Sequence, residues 1–265
     1  MTAPPPDAGD EAARQALLRR TLSESGRPRR PGWPRLVLGL VPTVLTLLLL
    51  IGGGGLLLTD PGSPLPPEWN PVRPLDLSRP ATPLTGFKMR RAERTEAACH
   101  AALATGAAFV AMEPLEADGG CGIAARVRLS QVSDVSVPPV ETACRTALRL
   151  ALWHRHGIVP AQSRLGSPVV GLLHQGSYNC RPIRGGSRLS SHARGDAIDL
   201  RAVRLADGRV VPLLGNWEGD GSEARFWRAL RDAACDWFGS TLGPDFDANH
   251  ADHLHLQATG RGTCR

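Results

Sequence analysis

Two short stretches of this 265-residue chain concentrate the side chains that bind metal ions and move protons. The first reads Ser190-Ser191-His192-Ala193-Arg194-Gly195-Asp196-Ala197-Ile198-Asp199. The second, further along, reads His250-Ala251-Asp252-His253-Leu254-His255. His192, Asp199 and His255 would supply two neutral imidazoles and one carboxylate. Hydrolytic zinc sites use such a set, in which three protein ligands leave a fourth position for water. A divalent ion so held lowers the pKa of that water and polarises a carbonyl under attack. The expected chemistry is therefore zinc-assisted hydrolysis, with Zn2+ as cofactor. Asp196 lies three before Asp199 on the turn side and is not expected to be a ligand. His100, His154, His156 and His174 have no partner at ligand spacing and are expected to be structural.

Three residues compete for the proton-transfer role. In a strand, His253 shares a face with His255. Asp252 would need a bulge or an irregular start to the strand, and His250 a loop. Arg181 is the candidate for steadying an oxyanion or a substrate carboxylate, because a guanidinium donates a bidentate pair.

These residues need elements to hold them. His192 and Asp199 are seven apart, and one regular strand would put them on opposite faces. Gly195 between them can supply a turn. His192 is then expected on a loop and Asp199 on a strand, Ala197–Leu205, with a final strand at His253–Ala258. Apolar periodicity predicts helices over Arg91–Thr105, from Pro138 and Pro139 through Trp153, and over Glu223–Phe238 with Ser222 as cap. Strands are predicted at Phe109–Pro114, Arg126–Val132 and Val169–Leu173. Trp153, Trp227 and Trp237 read as core, and Trp217 as a groove or surface residue. The mixed order implies an α+β fold: an antiparallel sheet flanked by helices and carrying a zinc site, preceded by a single transmembrane helix.

Leu36–Leu58 is apolar and uncharged, and a helix needs about 20 such residues to cross a bilayer. Arg19, Arg20, Arg27, Arg29, Arg30 and Arg35 precede it, which places the N-terminus in the cytoplasm and the rest outside. The competing reading is a cleaved signal peptide, but no clear small-x-small site follows. The anchor reading implies a single-pass cytoplasmic membrane protein whose C-terminal domain is periplasmic or extracellular. Residues 1–35 are polar and read as a disordered cytoplasmic tail.

The net charge of +6 is uneven. Residues 1–35 hold seven arginines against four acidic residues, a net of +3, so only +3 is spread over the remainder. That excludes nucleic acid as the expected partner of the exported part. All six cysteines (Cys99, Cys121, Cys144, Cys180, Cys235 and Cys264) follow the apolar run. This fits an oxidising compartment and up to three disulfides, in any of 15 pairings. No C-x-x-C occurs, which argues against a cysteine zinc site. Pro61, Pro64, Pro66, Pro67, Pro71, Pro74, Pro80 and Pro83 make residues 59–84 a stiff, extended linker, and the folded unit is expected over 85–265.

The string S-x-H-x-x-G-x-A-x-D at Ser190–Asp199, with H-x-H at His253–His255, resembles the zinc metallopeptidases of the D-Ala-D-Ala carboxypeptidase and murein endopeptidase group. With Ser177-Tyr178-Asn179-Cys180-Arg181 and the C-terminal D-H-L-H-L added, the closer resemblance is to the bacterial extensin-like C-terminal domain family. The peptidase resemblance implies His192, Asp199 and His255 as zinc ligands, and Arg181 as a contact to substrate or intermediate. It implies an acidic base at Asp252, or histidines at His250 and His253; this chain offers both. The function so implied is a membrane-anchored zinc peptidase or amidase acting on peptidoglycan peptides or other cell-wall peptides. The alternatives are a non-catalytic envelope module that binds cell-wall peptide or keeps zinc as a clasp, and a disulfide-stapled scaffold.

Overall fold

The computed structural model describes residues 8–24, 33–260 and 262–265. Its elements in chain order are α1 (Ala8–Glu24), α2 (Trp33–Thr59), α3 (Thr85–Ala92), α4 (Glu96–Leu103), β1 (Ala107–Ala111), β2 (Leu115–Glu116), β3 (Gly122–Ile123), β4 (Arg126–Val132) and β5 (Val135–Ala143). Then come α5 (Cys144–Trp153), α6 (Val159–Ala161), β6 (Val169–His174), β7 (Ala197–Leu205), β8 (Val210–Pro212), α7 (Ser222–Trp237), β9 (Ser240–Leu242) and β10 (Leu254–Gln257). The chain divides into two units, Met1–Leu57 and Leu58–Arg265.

In the first unit, Ala8–Glu24 is helical where the composition predicts disorder. Its Ala, Leu, Arg and Glu residues are strong helix formers, and they outweigh the lack of an apolar face. Residues 1–7 and 25–32 of that tail lie outside the described residues. In α2, Leu40–Thr59 is long and apolar enough to cross a membrane, with a mean hydropathy of 2.1 over its window.

The second unit is an α+β domain. Its sheet runs β1-β4-β5-β6-β7-β10-β9, with β8 on β7, and β2 and β3 form a separate hairpin. The sheet is not purely antiparallel: β5 and β6 meet in parallel at Ser136 and Gly171. Along β7 and β10, alternate residues enter the core. Leu254 pairs with Leu200 and Leu256 with Ile198, all buried in one cluster with Trp153, Phe226, Trp227 and Leu230 from α5 and α7. The polar residues between them are thereby turned to the opposite face.

Four expectations meet a different structure. Pro138 and Pro139 do not open a helix but lie exposed within β5. There the β4 register skips from Leu129–Val140 to Gln131–Ser136, so the missing N–H groups cost no ladder bond. The helix predicted over Arg91–Thr105 is two helices, because Thr95 turns extended and its Oγ1 accepts the N–H of Ala98. The proline-rich segment is not a free spacer. Leu75 and Leu77 are buried in the core, and Leu77 N–H donates to Thr105 Oγ1 at 2.8 Å. Proline loses its donor but keeps its carbonyl. Lys88 Nζ uses that of Pro67, and the Arg91 guanidinium uses those of Pro71 and Val72. Trp217, in turn, is buried, with Nε1 donating to Asp245 Oδ1 at 2.7 Å.

The six cysteines pair as Cys99–Cys144, Cys121–Cys180 and Cys235–Cys264. The first joins α4 to α5. The second ties the β2–β3 hairpin to the segment ahead of the His192 turn. The third fixes the C-terminal end to α7.

Candidate metal centre

His192 sits on a 3-10 turn, Ser191–Arg194, that begins at Ser190 and ends at Gly195 in the left-handed region. Gly195 has φ +62°, and a Cβ there would lie 2.8 Å from the Ala143 nitrogen. Only glycine fits both demands. Its carbonyl accepts from Ala143 N at 3.1 Å, Thr142 Oγ1 at 3.0 Å and Thr146 Oγ1 at 2.8 Å. The turn is therefore bolted to the start of α5. Asp196, next in line, is held by both its oxygens to Arg145, at 2.6 and 2.9 Å, and takes no part in the cluster.

From this turn His192 meets two strand residues. Asp199 on β7 and His255 on β10 are direct cross-strand partners on the face away from the core. His255 Nδ1 is 2.9 Å from Asp199 Oδ1. His192 Nε2 is 3.2 Å from Asp199 Oδ2 and 3.1 Å from His255 Nδ1. In a tetrahedral site with bonds of about 2.0–2.1 Å, neighbouring donor atoms are about 3.3 Å apart. One ligand atom from each of the three residues lies within 4.8 Å of the others, close enough to share one small divalent ion, with the two Asp199 oxygens turned to different histidines; they form the metal-compatible group among the described residues.

The remaining ring nitrogens of the two histidines also have polar partners. His192 Nδ1 lies 2.7 Å from the Ser177 carbonyl and donates to it, which leaves the Nε2 lone pair aimed at the cluster. His255 Nε2 faces Ser191 Oγ at 3.4 Å. Ser177 is itself fixed, its Oγ bonded to Thr142 Oγ1 at 2.7 Å and to the Ala197 carbonyl at 2.5 Å.

The electrostatics follow from this crowding. Burial alone would raise the Asp199 carboxyl, but hydrogen bonds from His192 and His255 outweigh it and hold Asp199 well below the usual carboxylate range. Burial would lower His192, yet the Asp199 hydrogen bond and charge prevail and its pKa is raised, with Arg181 opposing.

A second tier lies beside the first. His253 Nε2 is 3.7 Å from Asp199 Oδ1, and its Nδ1 is 2.7 Å from Asp252 Oδ1. The other Asp252 oxygen accepts from Gln175 Nε2 at 2.9 Å. The hydrogen bond from His253, followed by that from Gln175, keeps Asp252 below its ordinary range against a small burial effect. His250, on the 3-10 turn Ala248–His250, lies near His253 and His255: its ring centroid is 5.2 Å from that of His253, tilted, and 5.8 Å from that of His255, edge-on. His250 Nδ1 is held by Asp247 Oδ1 at 2.7 Å. Burial lowers the His250 pKa, with Asp247 partly offsetting it.

Arg181 is exposed, immediately after disulfide-bonded Cys180. Its carbonyl accepts the Ser190 N–H at 3.1 Å, and the loop between them is pinned to the His250 turn by Arg184 Nη1 on Asn249 Oδ1 at 2.5 Å. Its charge is felt at His192.

The sequence motifs therefore converge. His192, Asp199 and His255 form one group, with His253, Asp252 and His250 beside it. Ser177, Gln175, Asp247 and Ser191 were not singled out as functional. The run of cluster histidines each needing a partner on its second nitrogen was the signal for them. The sequence profile described as extensin-like protein C-terminus matches residues 97–265, which span the sheet, all three disulfides and both histidine clusters. No curated protein and no solved structure matches the chain. With that profile covering more than half of its length, the chain belongs to the extensin-like C-terminal family.

Proposed function

We propose that this protein is a membrane-anchored, zinc-dependent peptidase or amidase that acts on the peptide part of peptidoglycan, or a similar cell-wall peptide. The observation that carries the reading is the His192, Asp199 and His255 group, with one ligand atom of each within 4.8 Å of the others, and a carboxylate-oriented histidine beside it. A purely structural zinc site would be closed by a fourth protein ligand. Beside the three residues lie His253 and His250, titratable groups that a site closed by a fourth ligand would not need.

His192, Asp199 and His255 would hold the ion. When bound, it would supply a Lewis acid and a water acidified towards neutrality. His253 is the base in this reading. With Nδ1–H donated to Asp252, it turns a basic Nε2 towards the cluster, takes a proton from the attacking water and returns it to the leaving amine. Asp252 has both oxygens committed, so it orients His253 and does not itself take the proton. His250 lies as a second imidazole next to His253. Arg181 offers its charge to the developing oxyanion or to a substrate carboxylate.

The apolar Leu40–Thr59 segment supports a membrane anchor, and the arginines ahead of it support an inside N-terminus. Three disulfides with no free cysteine support an oxidising compartment for the domain. The burial of His192, His253 and His255, each under a tenth exposed, favours a second reading, a module that keeps zinc as a clasp.

The test is incubation of the full-length chain, in detergent, with a panel of muropeptides. Zinc-loaded protein is expected to release new amino termini, to stop on chelation and to recover on zinc addition. Bound zinc without cleavage across the panel would transfer the protein to the second reading.

A further inference from the structure

One sizeable cavity of the domain lies away from the histidine cluster. It is a groove of about 900 Å³ between the β2–β3 hairpin, the start of α4 and the start of α5. None of His192, Asp199, His250, Asp252, His253 or His255 lines it. Its volume lies within the range of sites that hold small molecules or peptide segments, about 300–1,000 Å³.

Two features make it a prepared surface and not a loose gap. First, its walls are cross-linked. Cys99 and Cys144 lie on it and are bonded to each other, and Cys121 on its rim is bonded to Cys180. Such a groove needs little ordering when a ligand enters, and preorganisation of that kind favours binding. Second, several of its charges are unspent. The side chains of Arg94 and Arg194 make no hydrogen bond or ion pair among the described residues, and both are exposed. Arg145 uses Nε and Nη2 on Asp196 and keeps Nη1 free. Glu116 is likewise unpaired, and Glu96 has only His100, at 3.9 Å. The lining thus offers guanidinium donors for carboxylates and two carboxylates for an amine.

We propose that this groove is a second peptide site, which binds a zwitterionic peptide carrying free carboxylates and a free side-chain amine. The carboxylates would lie on Arg94, Arg145 and Arg194, and the amine on Glu96 and Glu116. The identification of that peptide as a cell-wall stem peptide rests on the function proposed above; the charge pattern does not. The groove abuts the metal centre through one element. Arg194 is on the same 3-10 turn as His192, and Arg145 grips Asp196 between His192 and Asp199. A bound peptide would therefore lie directly behind the turn that carries the first ligand. A cross-linked polymer presents several stem peptides at once, and a second site would hold one stem while the metal centre meets another, at the high effective concentration that linkage gives.

The test uses the full-length chain stripped of metal by a chelator, so that no cleavage intervenes. The probe is a synthetic stem peptide with two free carboxylates and one free amine, and binding is followed by calorimetry. The metal-free chain is expected to bind it. Arg94→Glu/Arg194→Glu is expected to bind about tenfold more weakly or worse, since each exposed ion pair lost is worth up to about 1 kcal/mol and two together about tenfold. Zinc uptake by the double variant should match the wild type, which shows that the fold and the metal turn persist. Glu96→Gln/Glu116→Gln should lose the preference for the free amine over its acetylated form. No binding to the metal-free chain, or equal binding by the arginine variant, would overturn the proposal. A chain that takes up no zinc yet binds the peptide through these arginines would overturn the function proposed above and leave the groove intact.

Discussion

Asp199 and His255 face each other across the β7–β10 ladder, and their side-chain atoms Oδ1 and Nδ1 lie 2.9 Å apart. The pairing places a carboxylate and an imidazole on the face opposite Ile198, Leu200, Leu254 and Leu256, so the register that builds the core also builds the centre. A one-residue slip would turn both into the core. Asp199→Asn keeps the shape and removes the charge. It is expected to lower zinc affinity by about 100-fold or more, because a neutral amide is a poor substitute for a carboxylate donor. Equilibrium dialysis against a zinc buffer measures it; affinity within a few-fold of wild type would remove Asp199 from the ligand set.

His253 and Asp252 separate by effect. His253→Ala is expected to reduce cleavage about 10²–10⁴-fold with zinc retained, the usual range for a lost general base. Asp252→Asn, which loosens the orientation of His253, should cost about 10–100-fold. Rates from single-turnover assays beside metal analysis would show this order. A larger loss in Asp252→Asn than in His253→Ala would return the base to Asp252.

Much of this centre was legible because its determinants are local. The period-two alternation predicted β7 with its correct bounds and a final strand over His253–Ala258, against an observed Leu254–Gln257. The odd His192–Asp199 spacing, with Gly195 between them, predicted a turn that is present. The proposed choice of His253 over Asp252 was not legible, because it rests on Gln175, which reaches Asp252 from just beyond β6 across the fold. The prolines misled twice for the same reason. Their missing donor is a local property, whereas the bulge that shelters Pro138 and Pro139, and the Lys88 and Arg91 donors that use the carbonyls of Pro67, Pro71 and Val72, are tertiary. Disulfide pairing was also beyond reach, since spacing alone does not bring α4 to α5.

Gly195 is the point at which backbone geometry and ligand placement meet. Gly195→Ala would strain a φ of +62° and press a Cβ to 2.8 Å from the Ala143 nitrogen. The variant is expected to lose more than about 1 kcal/mol of stability and to bind zinc more weakly, because His192 rides on the same turn. Denaturant unfolding with zinc titration would show both; an unchanged midpoint would contradict the role given to the turn.

The Cys121–Cys180 bond closes a loop of 59 residues in sequence separation and anchors the segment whose Asn179 N–H donates to the His192 carbonyl at 3.0 Å. Cys121→Ser/Cys180→Ser is expected to destabilise the chain by about 2–4 kcal/mol. It should also weaken cleavage more than zinc binding, since Arg181 follows Cys180 directly. Equal losses in both would mean that the bond acts on the fold alone.

In the proposed centre, protons would compete with zinc for His192. Its pKa is raised, against burial, by Asp199. In the metal-free chain this contributes stability that is full below the unfolded pKa of histidine and is lost as pH rises through the raised value. Zinc requires the neutral ring, so its binding has the opposite slope and weakens as pH falls from about 8 to about 5. Asp199, held ionised throughout, adds nothing to that slope. Competition with a chelator of known pH dependence would measure it, and an affinity that stays flat or rises as pH falls would contradict the assignment of His192.

The central claim is that His192, Asp199 and His255 hold one metal ion, and elemental analysis of the purified full-length chain tests it most directly. One zinc per chain is expected in the wild type and close to none in His192→Ala and His255→Ala, with Asp252→Asn unchanged. Zinc absent from the wild type after zinc supplementation, or retained in both histidine variants, would contradict the account.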